Sequence, residues 1–352
     1  MIPVSVYSPP ETMRAAVYRR FGDPNVIEVV AVPRPHPRRG EVLIRVLAST
    51  VSTADHRSRS KDVPRGLAIL ASATLGFTAP RIPILGMDVA GIIEEIGEGV
   101  HTLHPGDEVI AMLGASFGGH AEYVTIPFDG AIAPKPASRS FEDAVALVFG
   151  GITARAFLRE ADVRPGSRIL VNGASGAVGS AAVQLAADTG AHVTAVCSSR
   201  NRELVLSLGA DRVLDYEAID FAAEGREYDI IMDAVGNAPF ERVESLLRPG
   251  GALLLVVSDL KGVLMAPARS RFSGKRVITG PGRYRAEDLR HLADLAEAGR
   301  IRPVIDRTYG LDEIVDAHRY VDRGRKRGSV VLRVGAAGRT PITPSATEGK
   351  NQ

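Results

Sequence analysis

The sequence predicts an α/β protein in which a doubly wound parallel sheet is inserted into a mostly antiparallel, barrel-like β domain. Three observations carry that expectation. A glycine-rich turn, Asn172-Gly173-Ala174-Ser175-Gly176-Ala177-Val178-Gly179, joins an apolar run to an amphipathic one. Strand and helix patterns then alternate over about a hundred residues, the signature of parallel pairing with crossover helices. The chain before residue 135 has a different texture, with short β-rich runs separated by turns such as Pro33 to Gly40 and His104-Pro105-Gly106-Asp107.

The turn comes first in the argument. Arg168 to Val171 reads as a buried strand and Ser180 to Ala187 as a helix. Gly173, Gly176 and Gly179 sit where the backbone must turn tightly, approach a ligand and pack helix on strand. The helix then aims its free N–H groups and positive dipole end above the turn, which favours a pyrophosphate. The alternation continues through His192 to Val196, a helix from Arg202 to Leu208 and a short strand at Arg212-Val213-Leu214. Tyr228 to Met232 follows, then a helix near Phe240 to Leu247, a Pro249-Gly250-Gly251 turn and a strand from Ala252 to Val257.

The earlier strands are expected at Ala15 to Tyr18, Ile27 to Val30, Glu41 to Leu47, Val89 to Ile96, Glu108 to Met112 and Ala121 to Val124. From Phe141 the texture turns helical. After about residue 283 the pattern runs helix (Ala286 to Ala298), strand (Val304 to Tyr309), helix (Asp312 to Val321), strand (Ser329 to Val334), in the manner of an α/β unit. This tail is expected to return to the first half. Residues 1–136 plus 283–352 then form one discontinuous substrate domain, and 137–282 the dinucleotide domain.

Composition narrows the function. The 352 residues allow one or two domains, and the formal net charge is +2. Basic residues are scattered, so a nucleic-acid partner is not implied. The single cysteine, Cys197, excludes a disulfide framework and a cysteine-rich zinc cluster, and suits a reducing cytoplasm. Met1 to Thr12 lacks the charged start and long apolar run of a secretory signal. No stretch reaches the roughly 20 apolar residues that span a bilayer. Gly335 to Gln352 is polar and expected to fray.

Several short stretches, in order, now carry a resemblance. They are Gly86-Met87-Asp88-Val89-Ala90-Gly91, Pro105-Gly106-Asp107-Glu108-Val109, Gly119-His120-Ala121-Glu122-Tyr123-Val124 and Gly151-Ile152-Thr153-Ala154. The glycine turn, Leu208-Gly209-Ala210-Asp211 and Asp233-Ala234-Val235-Gly236 complete the set. From Met13 to about Val334 the chain resembles the medium-chain dehydrogenase/reductase superfamily, in its zinc-independent quinone oxidoreductase (zeta-crystallin-like) branch. The resemblance implies a Rossmann sheet inserted in a GroES-like domain. It also implies a nicotinamide cofactor held by Gly173, Ser175, Gly176, Ala177, Val178, Gly179, Val235, Gly236, Val257 and Ser258.

In zinc-dependent members the catalytic ligands would fall at Ser52, Met87 and Phe149, with Asp88 in place of a nearby glutamate. A neutral serine hydroxyl, a soft thioether and a phenyl ring make no adequate zinc site, so no metal is expected. His56 and Asp55 are the other conceivable metal pair; a polar loop pair is the plainer reading. At the end of the second Rossmann strand, NAD enzymes usually place a carboxylate for the ribose 2′-OH. Here stand Cys197, Ser198, Ser199, Arg200 and Arg202, which repel no 2′-phosphate and offer hydroxyls and guanidiniums to it. Tyr216 matches a family tyrosine that contacts the same phosphate. NADPH is favoured over NADH, against the plainer reading of Arg200 and Arg202 as solvated residues.

Without zinc, a quinone or an enone is an easier hydride acceptor than a simple ketone, because the developing charge is delocalised. The candidate pocket is Ser52, Asp55 and Arg57, with Phe117, Phe149 and Thr153 facing the nicotinamide. Ser52, Asp55 and Thr153 are the candidates for direct chemistry, though no pair declares itself as acid and base. The segment Lys61 to Pro80 lengthens the loop after Arg57, and its apolar run Leu67 to Leu75 reads as a short helix. That helix is either a lid or, less favoured, a lipid-touching surface. A homodimer is expected through the strand near Arg276-Val277-Ile278-Thr279. Three function classes stay open: an NADPH-dependent reductase of quinones or activated alkenes, another alcohol or carbonyl oxidoreductase, and a nucleotide-binding protein without turnover.

Overall fold

The computed structural model describes residues 11–280 and 282–335. The terminal extensions expected at Met1 to Thr12 and Gly335 to Gln352 lie almost wholly outside them.

The first half contains β1 (Thr12–Tyr18), β2 (Ile27–Pro33), β3 (Glu41–Val51), α1 (Thr53–Ser60), α2 (Ala68–Leu75), β4 (Asp88–Ile96), β5 (Glu108–Met112), β6 (Tyr123–Pro127) and β7 (Ala131–Pro134). Two helices follow, α3 (Phe141–Ala146) and α4 (Val148–Ala161). The nucleotide half runs β8 (Arg168–Asn172), α5 (Ala177–Asp188), β9 (His192–Cys197), α6 (Arg202–Ser207), β10 (Arg212–Asp215), β11 (Tyr228–Asp233), α7 (Phe240–Val243), β12 (Leu247–Leu255), α8 (Leu260–Ser273) and β13 (Arg276–Thr279). The tail adds α9 (Ala286–Glu297), β14 (Ile305–Gly310), α10 (Ile314–Asp322) and β15 (Ser329–Arg333).

Strands β8 to β13 form a six-stranded parallel sheet in the order β10-β9-β8-β11-β12-β13. Successive residues serve opposite faces, as the two-residue period of a strand requires. Ile169 and Val171 join a core with α4, α5 and α9, whereas Leu170 between them joins a core with α7 and α8. Both faces are therefore covered, which is why these strands read as continuous apolar runs. Truncating fully buried Leu170 to alanine should cost about 2–5 kcal/mol.

The tail does return. β15 pairs antiparallel with β3, and β14 pairs with β15, extending the first sheet to seven strands. That sheet is mostly antiparallel. Its ordered path ends at β14 and β7, with no closing pair between them among the described residues. The β1–β2 hairpin forms a separate sheet. Two local expectations change. The helix at Phe240 tightens into a 3-10 turn over Glu244–Leu246, and β12 then begins at Leu247 and takes the expected Pro249-Gly250-Gly251 turn inside it; its pairing with β11 shifts register there. Strand β7 went unforeseen, since four residues ending in proline carry little pattern.

Candidate functional site

The strand order reverses between β8 and β11, and ligands of open parallel sheets bind beyond the carboxyl ends of the strands at such a point. Two features prepare it for a phosphate. Helix α5 begins at Gly176 with no side chain capping it, so its first N–H groups have no intrahelical partner. A Cβ at Gly176 would meet only the Gly173 carbonyl, at 3.5 Å, so the turn offers bare backbone to a ligand. Gly179 is different: a Cβ there would collide with the Gly173 backbone, so it is required for packing.

Asp233, at the end of β11, organises the neighbouring loop. Its carboxylate accepts from Val235 N and Gly236 N at 3.0 Å, from Ala238 N at 2.8 Å and from Asn172 Nδ2 at 2.9 Å. In the sequence Asp233 stands in the Asp233-Ala234-Val235-Gly236 motif without an expected role; the signal is its place immediately before a loop whose amides need an acceptor. Gly236 has φ +96°, and a Cβ there would meet Val257 at 2.8 Å.

Beyond β11 and β12 lies a cavity of about 670 Å³. It brings together the expected Arg57, Val235, Gly236, Val257 and Ser258, and adds Asp62 to Arg65 from the long loop. The loop is tied across the cleft, where Leu260 N donates to the Arg65 carbonyl at 3.0 Å. Its first residues thus form a wall. The helix expected at Leu67 to Leu75 exists as α2, yet it has no buried residue, and Ile69 is 80% exposed. Arg57 is half-buried, and its side chain has no hydrogen-bond partner among the described residues; burial lowers its pKa while Asp62 opposes the shift.

The other expected pocket residues lie outside this cavity lining. Ser52 caps α1 and donates from Oγ to Asp55 Oδ2 at 2.6 Å, while Asp55 Oδ1 accepts from Gly86 N at 2.8 Å. Both are buried and committed to each other. Phe117 belongs to the core of the first sheet. Phe149 N donates to Asp88 Oδ2 at 3.2 Å, and Thr153 Oγ1 lies 3.3 Å from the Tyr284 hydroxyl. Asp88 is fully buried, accepts from Thr50, and is pushed by burial up to about 7. His56 turns to Asp322 at 2.7 Å, away from Asp55. Ser52, Met87 and Phe149 do not fit zinc: the one oxygen among them already donates to a carboxylate, and the other two offer a thioether and a ring. Among the described residues no cluster of three His, Cys, Asp or Glu is placed to hold a metal.

At the end of β9, Ser198 Oγ accepts from Arg200 Nε at 3.1 Å, and Ser199 and Arg200 are exposed. Arg202 reaches back to the Val213 carbonyl at 3.4 Å. Tyr216 lines a separate cavity of about 250 Å³ with Asn237 and Arg242. Cys197 is buried in the core, and burial pushes its thiol up to about 11. Its side chain is therefore not turned to a ribose. Asn201, which sequence reading missed, links this strand end to the glycine turn by donating to Ser175 Oγ at 2.9 Å.

Comparison with known proteins agrees with this geometry. The family described as "Alcohol dehydrogenase GroES-like domain" matches residues 38–137, and "Zinc-binding dehydrogenase" matches 208–332. The quinone oxidoreductase QR1 of Triphysaria versicolor is 30% identical over 338 residues, covering 91% of this chain and 98% of the relative. The chain belongs to the medium-chain dehydrogenase/reductase superfamily, in its zeta-crystallin-like quinone oxidoreductase branch. Within that superfamily, the 2-methylene-furan-3-one reductase of Solanum lycopersicum is 32% identical over 335 residues, covering 92% of this chain and 79% of its own. The solved structure of a quinone oxidoreductase from Coxiella burnetii superposes with a TM-score of 0.82 at 28% identity, covering 92% of this chain and all of that one. This member of the superfamily is an oxidoreductase.

Proposed function

We propose that the protein is a zinc-independent, NADPH-dependent reductase of quinones or activated alkenes such as enones and alkenals. The observation that carries the reading is the Ser52–Asp55 pair. By the resemblance, Ser52 stands at one of the places where metal-dependent relatives carry a zinc ligand, and here its hydroxyl donates to Asp55. An acceptor reduced here must therefore manage without strong carbonyl polarisation, as conjugated acceptors do. The names of the relatives from Triphysaria versicolor and Solanum lycopersicum are in keeping with such acceptors.

NADPH, when bound, supplies the hydride. The chain's own residues hold and polarise. Gly176 and the start of α5 receive the pyrophosphate, and Ser198 and Arg200 receive the 2′-phosphate. The Arg57 guanidinium lines the cleft without a side-chain hydrogen-bond partner among the described residues, and is assigned to the acceptor oxygen, where negative charge develops. Thr153 and Tyr284 form a hydroxyl pair; burial raises the Tyr284 pKa, so it remains a donor at neutral pH.

No helix among the described residues is long and apolar enough to cross a membrane. We assign the enzyme to the cytoplasm, in keeping with a single buried thiol. We also assign it a homodimeric state: β13 is an edge strand, and α8 beside it exposes Leu264 and Phe272. The deciding experiment is an aerobic screen of quinones, enones, alkenals and aldehydes with both nicotinamides. Turnover of quinones or enones with NADPH is expected; turnover confined to simple alcohols or aldehydes, or none at all, overturns the reading.

A further inference from the structure

A third cavity, about 490 Å³, opens beside the end of β9. It is lined by Arg200 of the nucleotide half and by Arg307, Arg323, Arg325 and Arg327 from the tail. Among the described residues, none of these five guanidiniums lies within 4.0 Å of a carboxylate. Arg200 donates to Ser198, and Arg307 stacks over the Tyr320 ring at 4.3 Å. The one carboxylate in the lining, Asp306, accepts from the Tyr320 hydroxyl at 2.7 Å and from Arg327 N at 2.8 Å. It shapes the loop and leaves the cations unmatched. Mutually repelling cations gathered in a concavity favour a multiply charged anion, which would be released as salt rises.

The place of the cavity narrows the anion. Gly328 N, one residue past Arg327, donates to the Ser175 carbonyl at 2.8 Å, and Gly328 bridges to Gly176. The arginine loop is therefore tied to the glycine turn, and Arg200 belongs to both the cavity and the strand end assigned to the cofactor. A phosphate monoester carries a charge of about −1.5 to −2 at neutral pH and takes guanidinium forks well.

We propose that Arg325 and Arg327, with Arg307 and Arg323, form a phosphate-monoester site that closes over the cofactor's 2′-phosphate from the substrate-domain side. The inference rests on the NADPH reading, and it makes cofactor charge a clamp between two parts of the chain.

The test measures dissociation constants of NADPH, NADH, 2′,5′-ADP and 5′-AMP on the full chain, as wild type, Arg200→Ala and the Arg325→Ala/Arg327→Ala double variant. Phenyl phosphate serves as a free monoester probe. The double variant changes exposed side chains only, and its thermal melt checks the fold. Expected is a loss of about tenfold or more for NADPH and 2′,5′-ADP in the double variant, with NADH and 5′-AMP unchanged. If Arg200→Ala weakens NADPH but the double variant does not, the clamp is wrong and the cofactor reading stands. If phenyl phosphate binds in an arginine-dependent way while NADPH is indifferent, the phosphate comes from another molecule and the assignment to the cofactor is overturned. If wild type shows no preference for NADPH over NADH, the cofactor reading itself fails.

Discussion

Ser52 and Asp55 cap each other across the first turn of α1: the serine hydroxyl donates to the carboxylate at 2.6 Å, and the Asp55 amide returns a bond to that hydroxyl at 3.3 Å. Asp55 also accepts from Gly86 N, so one buried carboxylate joins the helix to the strand that follows the long loop. Replacing Asp55 with alanine strands buried donors, and should destabilise the protein by about 2–4 kcal/mol. Ser52→Ala should cost about 1 kcal/mol. Chemical denaturation measures both. An Asp55→Ala variant that melts like wild type but loses turnover would instead make Asp55 a direct participant in the chemistry.

Metal content gives the second prediction. The purified enzyme should hold no stoichiometric zinc, and chelator should leave turnover unchanged. Activity lost to chelator and restored by zinc counts against the proposed reaction.

The third concerns the acceptor. Arg57→Met should lower kcat/KM by about 10²-fold, the scale of losing one charged donor at a developing oxyanion. Affinity for NADPH should change little, and Arg57→Lys should recover part of the rate. Equal losses in NADPH affinity and turnover would place Arg57 on the cofactor instead.

Cofactor preference is the fourth. The buried thiol of Cys197 changes which variant is informative: Cys197→Asp would bury a carboxylate in the core and unfold rather than retune. Ser198→Asp is the better variant, because its carboxylate would engage Arg200 and repel a 2′-phosphate. The NADPH-to-NADH affinity ratio should shrink or invert, read by titrating both nucleotides.

Asp88 supplies the pH prediction. Its folded pKa, about 7, lies above the ordinary carboxylate value of 3.8 because burial disfavours the charged form. The native state therefore holds this proton more tightly than the unfolded chain between roughly pH 4 and 7. The stability it contributes is complete below pH 4 and is lost as pH rises through 7, at no more than about 1.4 kcal/mol per pH unit. Comparing unfolding free energies of wild type and Asp88→Asn across that window should show a slope that the variant lacks.

Much of the architecture was legible in the chain because it rests on local periodicity. Apolar runs covered on both faces, glycines 173, 176 and 179 and the alternation after them specify the parallel sheet, since each property is held within a few neighbouring residues. The motif order gave the superfamily for the same reason. Tertiary structure alone decided what the polar residues do. Ser52 and Asp55 stand in the sequence as separate candidates for direct chemistry, but the capping of the α1 start makes them each other's partners. Cys197 stands where a ribose ligand is expected, yet the strand's alternation turns it into the core. Asp233 gains its role only when four donors converge on it. The arginines at 307, 323, 325 and 327 lie more than a hundred residues from Arg200, and no local pattern joins them. They meet because β15 pairs with β3 and carries its preceding loop onto the glycine turn, a contact whose free energy belongs to the folded chain and to no segment of it.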